Sequence, residues 1–365
     1  MSITTIILFF VILLALVIVH ELGHFIAAKL TGMRVDEFAF GFPPRIWSKK
    51  KGETEYSFNA LPLGGYVAIY GENGEKDDKA KTDPRAFGNR PWWAQLITLV
   101  AGVTMNMLLA WVIFVGISYG DIRVSLDDEI YGRRAVAPEL MVIDASADSP
   151  AFKAGLVPGV VITKMESAGA SYVGINATSA IEFIRKHVND PISITYVGIQ
   201  GEVVKTTVSA VYGIIPDKKA LGISLDSVGT VHTNVVDAFR LGTTRTYDMT
   251  LATTDGLSAL ITSIRHGDNV LDSLSGPIGI AKIVGKTSEY GLKAVLTLVA
   301  VLSINLAIFN ILPLPALDGG RMIIVIGETL TRRKFPHKYM TMLNGLGFVL
   351  LILLLVLVSV KDVMH

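Results

Sequence analysis

The chain of 365 residues contains no cysteine, and charged residues make up only 18% of it. Without thiol groups the protein cannot form disulfides, bind a metal through thiolates or use a cysteine nucleophile, so any metal site must rely on histidine and carboxylate side chains. Hydrophobic residues make up 51% of the chain, which is too apolar for an ordinary soluble enzyme of this length. The net charge of +1 gives no indication of a nucleic-acid partner, and we expect none.

Four apolar segments are long enough to cross a bilayer, which predicts a polytopic α-helical membrane protein. They lie at about 4–30, 92–119, 292–312 and 343–360. The first lacks the basic start and the small-residue cleavage site of a signal peptide, and its apolar run is too long for one. Lysine and arginine are frequent between the first two segments and between the last two, so the positive-inside rule assigns both loops to the cytoplasm. Both termini and the long segment 120–291 are therefore predicted to lie outside.

A short polar motif, His20-Glu21-Leu22-Gly23-His24, interrupts the first apolar segment near its end. On a helix the two histidines share one face and can bind one metal ion, and Glu21 is placed to act as a general base on water. Ionisable side chains at membrane depth are costly unless they have a function, which weighs against two surface histidines beside lipid headgroups. A catalytic zinc site ordinarily has three protein ligands, so the rest of the chain must supply another.

The predicted topology places His20 and His24 near the cytoplasmic side, where a third ligand should lie at the end of another span. Asp318 meets this requirement, because it lies in the segment 310–320 that follows the third span. The prolines of this segment cannot continue a helix, so the chain should unwind and let Asp318 turn toward a neighbouring helix. The alternative is that Asp318 only caps a helix-ending turn, as is common for an Asp-Gly pair. Its predicted position at the same membrane depth as His20 and His24 favours metal ligation instead.

With these residues the chain resembles the site-2 protease family of intramembrane zinc metalloproteases, and within it the bacterial RseP-like branch. Four segments in chain order carry the resemblance, namely 20–24 (HExxH), 101–106 (GxxxN), 275–280 and 310–319 (NxxPxPxLDG). Many relatives have a proline after the glycine of the second segment, where this chain has Val103. The resemblance implies Zn²⁺ as the cofactor, bound by His20, His24 and Asp318, with Glu21 as the catalytic residue.

Residues 35–70 alternate aromatic and small side chains around a basic, glycine-containing turn, which predicts a β-hairpin. The corresponding region of the family resembles a membrane-reentrant β-loop, whose exposed edge can hold a substrate in an extended conformation. Three asparagines near the spans are expected to bond an unwound substrate backbone, with ordinary interhelical hydrogen bonding as the alternative. The predicted substrate-binding residues are Gly64, Gly65, Tyr66, Asn106, Asn305 and Asn310.

Residues 136–212 are predicted to form one extracytoplasmic PDZ-like α+β domain. The segment 149–159 resembles the part of bacterial PDZ domains that precedes Asp-x-Ile, although Val160 stands where the aspartate is usual. Such a domain binds a strand or chain end, or serves as a plug that excludes large ectodomains, and the sequence leaves both open. The other predicted divisions are the first half of the membrane core at 1–119, a linker at 120–135, an amphipathic segment at 213–290 and the second half of the core at 291–365.

Within the amphipathic segment, residues 235–264 are predicted to form a helix that lies on the outer membrane surface or packs on the PDZ-like domain. Together the features predict an intramembrane zinc endopeptidase of a bacterial inner membrane, with its active site toward the cytoplasm. By resemblance, its partners are the lipid bilayer and single-span proteins already cut outside the membrane, such as anti-sigma factors or remnant signal peptides. The PDZ-like domain adds a possible peptide or chain-end ligand.

A zinc-stabilised membrane scaffold, which captures partners through its PDZ-like domain, is the alternative function. Glu21 argues against it, because a purely structural metal site has no use for a base beside its ligands. A transporter gains no support, since the chain shows no inverted repeat.

Overall fold

The computed structural model describes residues 2–72, 80, 82–146, 149–215, 218–267 and 275–364. Its helices are α1 (Ile3–Leu30), α2 (Trp92–Ile117), α3 (Pro150–Lys153), α4 (Ala177–Lys186), α5 (Val235–His266), α6 (Pro277–Glu289), α7 (Leu292–Ile311), α8 (Asp318–Thr331) and α9 (His337–Met364). Its strands are β1 (Val35–Lys51), β2 (Thr54–Ile69), β3 (Gly120–Ser125), β4 (Val136–Ala145), β5 (Val161–Ser167), β6 (Ala170–Tyr172), β7 (Ile192–Val197), β8 (Val203–Val208), β9 (Val211–Ile215), β10 (Lys218–Ala220) and β11 (Ile223–Thr233). The chain divides into a helical unit, Met1–Ile117 with Phe239–His365, and a sheet unit, Ser118–Ala238.

Among the described residues, four helices are long and apolar enough to cross a membrane, namely α1, α2, α7 and α9. The four predicted spans are therefore confirmed as helices. The last one begins at His337, ahead of the predicted start at 343, because the helix continues into a polar stretch that an apolar run does not reveal. Leucine and valine side chains cover the exposed surface of α9, which suits a helix surrounded by lipid.

Small residues let the spanning helices of the helical unit approach one another closely. A Cβ atom at Gly23 of α1 would collide with the carbonyl oxygen of Ala101 on α2. Between α2 and α7, Ala110 and Ala300 are fully buried, and the Ser303 hydroxyl donates to the backbone carbonyl of Asn106 at 2.8 Å. Close backbone contact and satisfied hydroxyl groups are the usual means of holding helices together in a membrane.

β1 and β2 form an antiparallel sheet in which residues 37–40 of β1 lie between two parts of β2, with residues 55–58 on one side and 65–68 on the other. Residues 45–51 of β1 then pair with residues 54–59 of β2. The register shifts along the middle of β1, where Gly41 has a φ of +77° and its missing Cβ leaves room for the Leu61 carbonyl oxygen. Glu37 ties the strands together, because its carboxylate accepts from Ser57 of β2, and Arg45 of its own strand donates to the same carboxylate at 2.8 Å. The association of this sheet with the membrane stays a prediction.

The helix predicted at 235–264 is present as α5, and from Phe239 onward it packs on α2 and α7. The ring centroid of Phe239 lies 5.3 Å from that of Trp111 on α2, and the Thr253 hydroxyl donates to Asn305 of α7 at 3.0 Å. The packed face of α5 carries Gly242 and threonines, whose hydroxyls bond carbonyls of their own helix. This face has small side chains, and its hydroxyl groups are already hydrogen-bonded. α5 can therefore pack on membrane-spanning helices although its own sequence is too polar for a membrane span.

The sheet unit is built on strands in the order β3-β11-β4-β5-β7-β8, with β6 paired to β5 and all pairs antiparallel. Its core lies between this sheet and α4, where Leu140, Met165, Ile192 and Ile194 have almost no exposed surface. The sheet extends beyond the predicted domain 136–212, because β3 comes from the predicted linker and β11 from the predicted amphipathic segment. These two strands pair with each other across about a hundred residues of sequence, which no local pattern reveals.

The start of α6 is held by a side chain from the end of α9. Gly276, the residue before α6, has no side chain to cap the helix, and the Asp362 carboxylate accepts the Gly279 N–H at 2.8 Å instead. Lys282 donates to the backbone carbonyl of Asp362 at 2.8 Å. A carboxylate at a helix N-terminus satisfies an orphan N–H group and complements the helix dipole. Asp362 thus links α9 to α6.

We expect Asp362→Ala to destabilise the helical unit by about 0.5–2 kcal/mol, the usual cost of losing an N-terminal cap. Asp362→Asn keeps an acceptor oxygen and should lose less. Asp255→Ala, at an exposed position of α5, is the control and should change stability by less than about 0.5 kcal/mol. Thermal unfolding in detergent measures all three variants. Equal stabilities for Asp362→Ala and the control would refute the capping role.

Candidate metal centre

Three side chains from distant parts of the chain meet at one point of the helical unit. Oδ2 of Asp318, at the start of α8, lies 3.1 Å from Nε2 of His20 and 3.3 Å from Nε2 of His24. The two Nε2 atoms are 3.2 Å apart, and both histidines are buried, with 7% and 8% of their surface exposed. Within the part of the chain that the structure describes, no other group of three histidine or carboxylate side chains is this close.

The turn between α7 and α8 brings Asp318 to the two histidines. The helix α7 ends at Ile311, as the prolines after it predict, and Ala316 in the turn adopts a φ of +71°. Side chains at Gly319 and Gly320 would collide with backbone carbonyl oxygens at the end of α7 and in the turn. The two glycines therefore let the first turn of α8 fold back against the chain that precedes it, which fixes the position of Asp318.

One face of α2 holds the two imidazole rings from behind. The carbonyl oxygen of Thr98 lies 2.8 Å from Nδ1 of His24, and Nδ2 of Asn106 lies 3.2 Å from Nδ1 of His20. Between them, a Cβ atom at Gly102 would lie 2.7 Å from Cε1 of His24 and 2.8 Å from Cε1 of His20. Only glycine leaves room for both rings, whose Nε2 atoms consequently face Asp318.

The arrangement of donor atoms fits a metal ion. Because Nδ1–H of His24 is directed at the Thr98 carbonyl, its Nε2 carries a lone pair toward the carboxylate. Oδ2 of Asp318 is buried and has no hydrogen-bond partner of acceptable geometry, although two imidazole nitrogens lie close to it. Lone pairs that converge in this way repel one another unless a cation lies between them. Two imidazole nitrogens and one carboxylate oxygen are a donor set that Zn²⁺ accepts in catalytic sites, with a further position left for water.

Glu21 lies beside this cluster but faces a different element, the strand β2. A Cβ atom at Gly65 would lie 3.7 Å from Cγ of Glu21, and the backbone of Val67 lies near the Glu21 carboxylate. Gly65 is thus next to the candidate base, as expected of a residue near the site. Gly64 packs against Phe42, since a Cβ atom there would lie 2.8 Å from the ring.

Tyr66 and the three asparagines have definite partners. The Tyr66 hydroxyl donates to Glu37 of β1 at 2.9 Å, and so contributes to the pairing of the two strands. Asn305 is half-buried and accepts from Thr253, while Nδ2 of Asn310 donates to a carbonyl of its own helix at 2.9 Å. Asn106 has no exposed surface. For all of these residues, substrate binding stays a prediction.

Thr98 is the neighbour of the site that sequence reasoning missed. It contributes a backbone carbonyl, and no side-chain motif marks such a group. The spacing in the sequence was nevertheless informative. Thr98, Gly102 and Asn106 are four residues apart, so they share one face of α2. A search outward from the Gly-x-x-x-Asn motif at the same spacing would have found it.

Comparison with known proteins gives consistent matches over nearly the whole chain. The model of peptidase family M50 matches residues 8–354. A Clostridium acetobutylicum protein whose name includes the words zinc metalloprotease is 30% identical over 359 residues, which cover 96% of this chain and 94% of the relative. Zinc metalloprotease RasP of Geobacillus kaustophilus is 28% identical over 442 residues, with 99% and 98% covered. Regulator of sigma-W protease RasP of Bacillus subtilis is 27% identical over 441 residues, with 100% and 99% covered.

We expect Gly102→Ala to weaken zinc binding by more than about tenfold, because the new methyl group occupies the space of both imidazole rings. Gly116→Ala is a matched control on the same helix, since a Cβ atom there meets nothing within 4 Å. Zinc content after dialysis against a chelator of known affinity measures the difference. Equal zinc content in the two variants would mean that α2 does not hold the rings in the way described.

Proposed function

The chain belongs to peptidase family M50, the site-2 type of membrane-embedded zinc metalloproteases, and from this premise we propose that it cleaves transmembrane segments of single-span membrane proteins. The observation that carries the proposal is the convergence of His20, His24 and Asp318 beside Glu21 on a helix of membrane-spanning length. A protease whose candidate catalytic groups lie on such a helix acts most directly on a peptide bond that also lies within the membrane.

The proposed chemistry is hydrolysis of a peptide bond with Glu21 as general base. His20, His24 and Asp318 would hold the zinc ion, which when bound would supply a Lewis acid for the scissile carbonyl and would lower the pKa of water toward ~7. The Glu21 carboxylate accepts a proton from the attacking water and then passes it to the leaving amine. Gly65 and Val67 of β2 lie beside this carboxylate.

The edge of β2 is the proposed site for the substrate backbone. In the described residues, the 65–69 part of β2 pairs on one side only, with β1, so its other edge is open to a further strand. A transmembrane helix must unwind before its peptide bond can be attacked, and an unwound segment can add to this edge by main-chain hydrogen bonds. Gly65 and Val67 lie beside Glu21, so a strand added there passes close to the base. Gly64, Tyr66, Asn305 and Asn310 remain proposed contacts.

The active site is proposed to lie toward the cytoplasm of a bacterial inner membrane, with the sheet unit outside. Charged groups gather beyond the C-terminal end of α1, where Lys29 donates to Glu53 at 2.6 Å and Arg85 also contacts Glu53. These ion pairs lower the pKa of Glu53 to about 2, so it stays ionised at neutral pH. Such a cluster belongs in an aqueous region, and its lysine and arginine content favours the cytoplasmic side.

The sheet unit is proposed to be PDZ-like and to bind substrate ends. Strand β11 pairs with β4 along residues 223–228 but with β3 only from Val228 onward. Residues 223–226 therefore have one edge free of a described strand, and α4 lies alongside, where the N–H of Ala177 bonds the Ser227 hydroxyl. A peptide end can add to such an edge between a strand and a helix. Exclusion of large ectodomains by this unit is the alternative role.

The proposed substrates are anti-sigma factors or remnant signal peptides that another protease has already shortened outside the membrane. The name of the Bacillus subtilis relative, regulator of sigma-W protease, favours the first class. The new chain end that a first cut outside the membrane creates also suits the open edge of β11.

We expect Glu21→Gln to abolish cleavage of a single-span reporter in proteoliposomes, with a loss of at least about 10²–10⁴-fold, because the base is gone. The zinc content should stay at the wild-type level, since the three proposed ligands are intact. Glu129→Gln, at an exposed position of the sheet unit, is the control and should cleave normally. Wild-type cleavage by Glu21→Gln would disprove the role of the base, and would favour the scaffold alternative.

A further inference from the structure

The side chain of Asn106 is fully buried on α2, and only one end of its amide is hydrogen-bonded. Nδ2 lies 3.2 Å from Nδ1 of His20, whereas Oδ1 has no hydrogen-bond partner. A buried amide oxygen without a donor is unfavourable. Oxygen and nitrogen of an amide are nearly identical in shape, so a half-turn of the group exchanges them without moving a neighbour.

The protonation of His20 decides between the two orientations. When Nδ2 faces Nδ1, it can only donate, so the proton of a neutral imidazole must be on Nε2, which points at His24 and Asp318. That tautomer leaves His20 without a lone pair for a metal ion. When Oδ1 faces Nδ1, it accepts Nδ1–H, and the lone pair of Nε2 is directed at the other two donors. The turned amide exchanges one hydrogen bond for another, because Nδ1–H···Oδ1 replaces Nδ2–H···Nδ1, and Oδ1 has no other partner to lose.

We propose that Asn106 is the positioning residue of His20, whose amide oxygen accepts Nδ1–H and so fixes both the tautomer and the ring orientation needed for zinc. Hydrogen bonds to the second nitrogen of a metal-binding imidazole commonly have this effect. The inference concerns zinc binding and not the substrate, so it stands apart from the proposed cleavage of transmembrane segments.

The geometry of α2 supports this assignment. Thr98 and Asn106 are eight residues apart on one face of α2, and they meet His24 and His20, which are four apart on α1. The first contact uses a backbone carbonyl and the second uses a side chain, so both imidazoles have an acceptor behind them. The Ser303 hydroxyl holds the backbone of Asn106 from the side of α7 at 2.8 Å. The acceptor for His20 is therefore fixed in place before any metal binds.

The test measures metal binding with Asn106→Leu and Asn106→Asp in the full-length protein. Leucine has the same branched skeleton of four side-chain atoms but offers no acceptor, so we expect its zinc affinity to fall about 10–100-fold. Aspartate keeps an oxygen that accepts Nδ1–H, so its zinc affinity should stay within a few-fold of wild type. Chelator competition gives the affinities. The visible spectrum of the Co²⁺-substituted protein reports whether His20 remains a ligand.

The control is Asn305→Leu, which removes another asparagine of the spans that bonds Thr253 and contacts none of the proposed ligands. Its zinc affinity and Co²⁺ spectrum should be unchanged. Wild-type zinc affinity in Asn106→Leu overturns the proposal, even when cleavage is lost, because Asn106 would then act on the substrate. An equal loss of zinc in Asn106→Leu and Asn106→Asp also overturns it, because the acceptor oxygen would then not be the group that matters.

Discussion

The close contact between α1 and α2 is the interaction on which the candidate site depends. Gly23 allows α1 to touch the backbone of α2, and Gly102 allows the rings of His20 and His24 to lie against α2. A side chain at either position would separate the helices or fill the space of the rings. In a membrane such contact has no hydrophobic driving force, so it rests on packing and hydrogen bonds. The bonds from the imidazoles to α2 thus hold the helices together and orient the proposed ligands at once.

Asp318 reaches this pair of helices because the chain between α7 and α8 cannot remain helical. Prolines end α7, and the glycines after Asp318 let α8 start against the carbonyls of the turn. The three donor atoms lie within 3.3 Å of one another. A metal ion bound between them would therefore add its binding free energy to the stability of the folded protein.

Sequence reasoning was sufficient for the parts of the molecule that local spacing determines. The span-length helices and the shared face of His20 and His24 follow from periodicity and from the cost of charge in a membrane. The proximity of Asp318 followed from predicted topology, which is a coarse but global constraint. Strand β11, by contrast, lies between β3 and β4 because of pairings across a hundred residues of sequence. The partners of α5 and the burial of Asn106 likewise depend on which helices pack together, and these contacts cannot be derived from a single sequence.

The proposed metal ligands and the proposed base lie on different faces of α1 and contact different elements of the fold. His20 and His24 face α2 and α8, whereas Glu21, about 100° further round the helix, faces β2. Elements that hold the rings are thus separate from the strand proposed to hold the substrate. A change in the β1–β2 sheet should therefore alter which segments are cleaved and how fast, and leave zinc affinity unchanged. A change on α2 should mainly alter zinc affinity. Because the two effects are separate, a measurement of zinc affinity can test the role of Asn106 without any substrate.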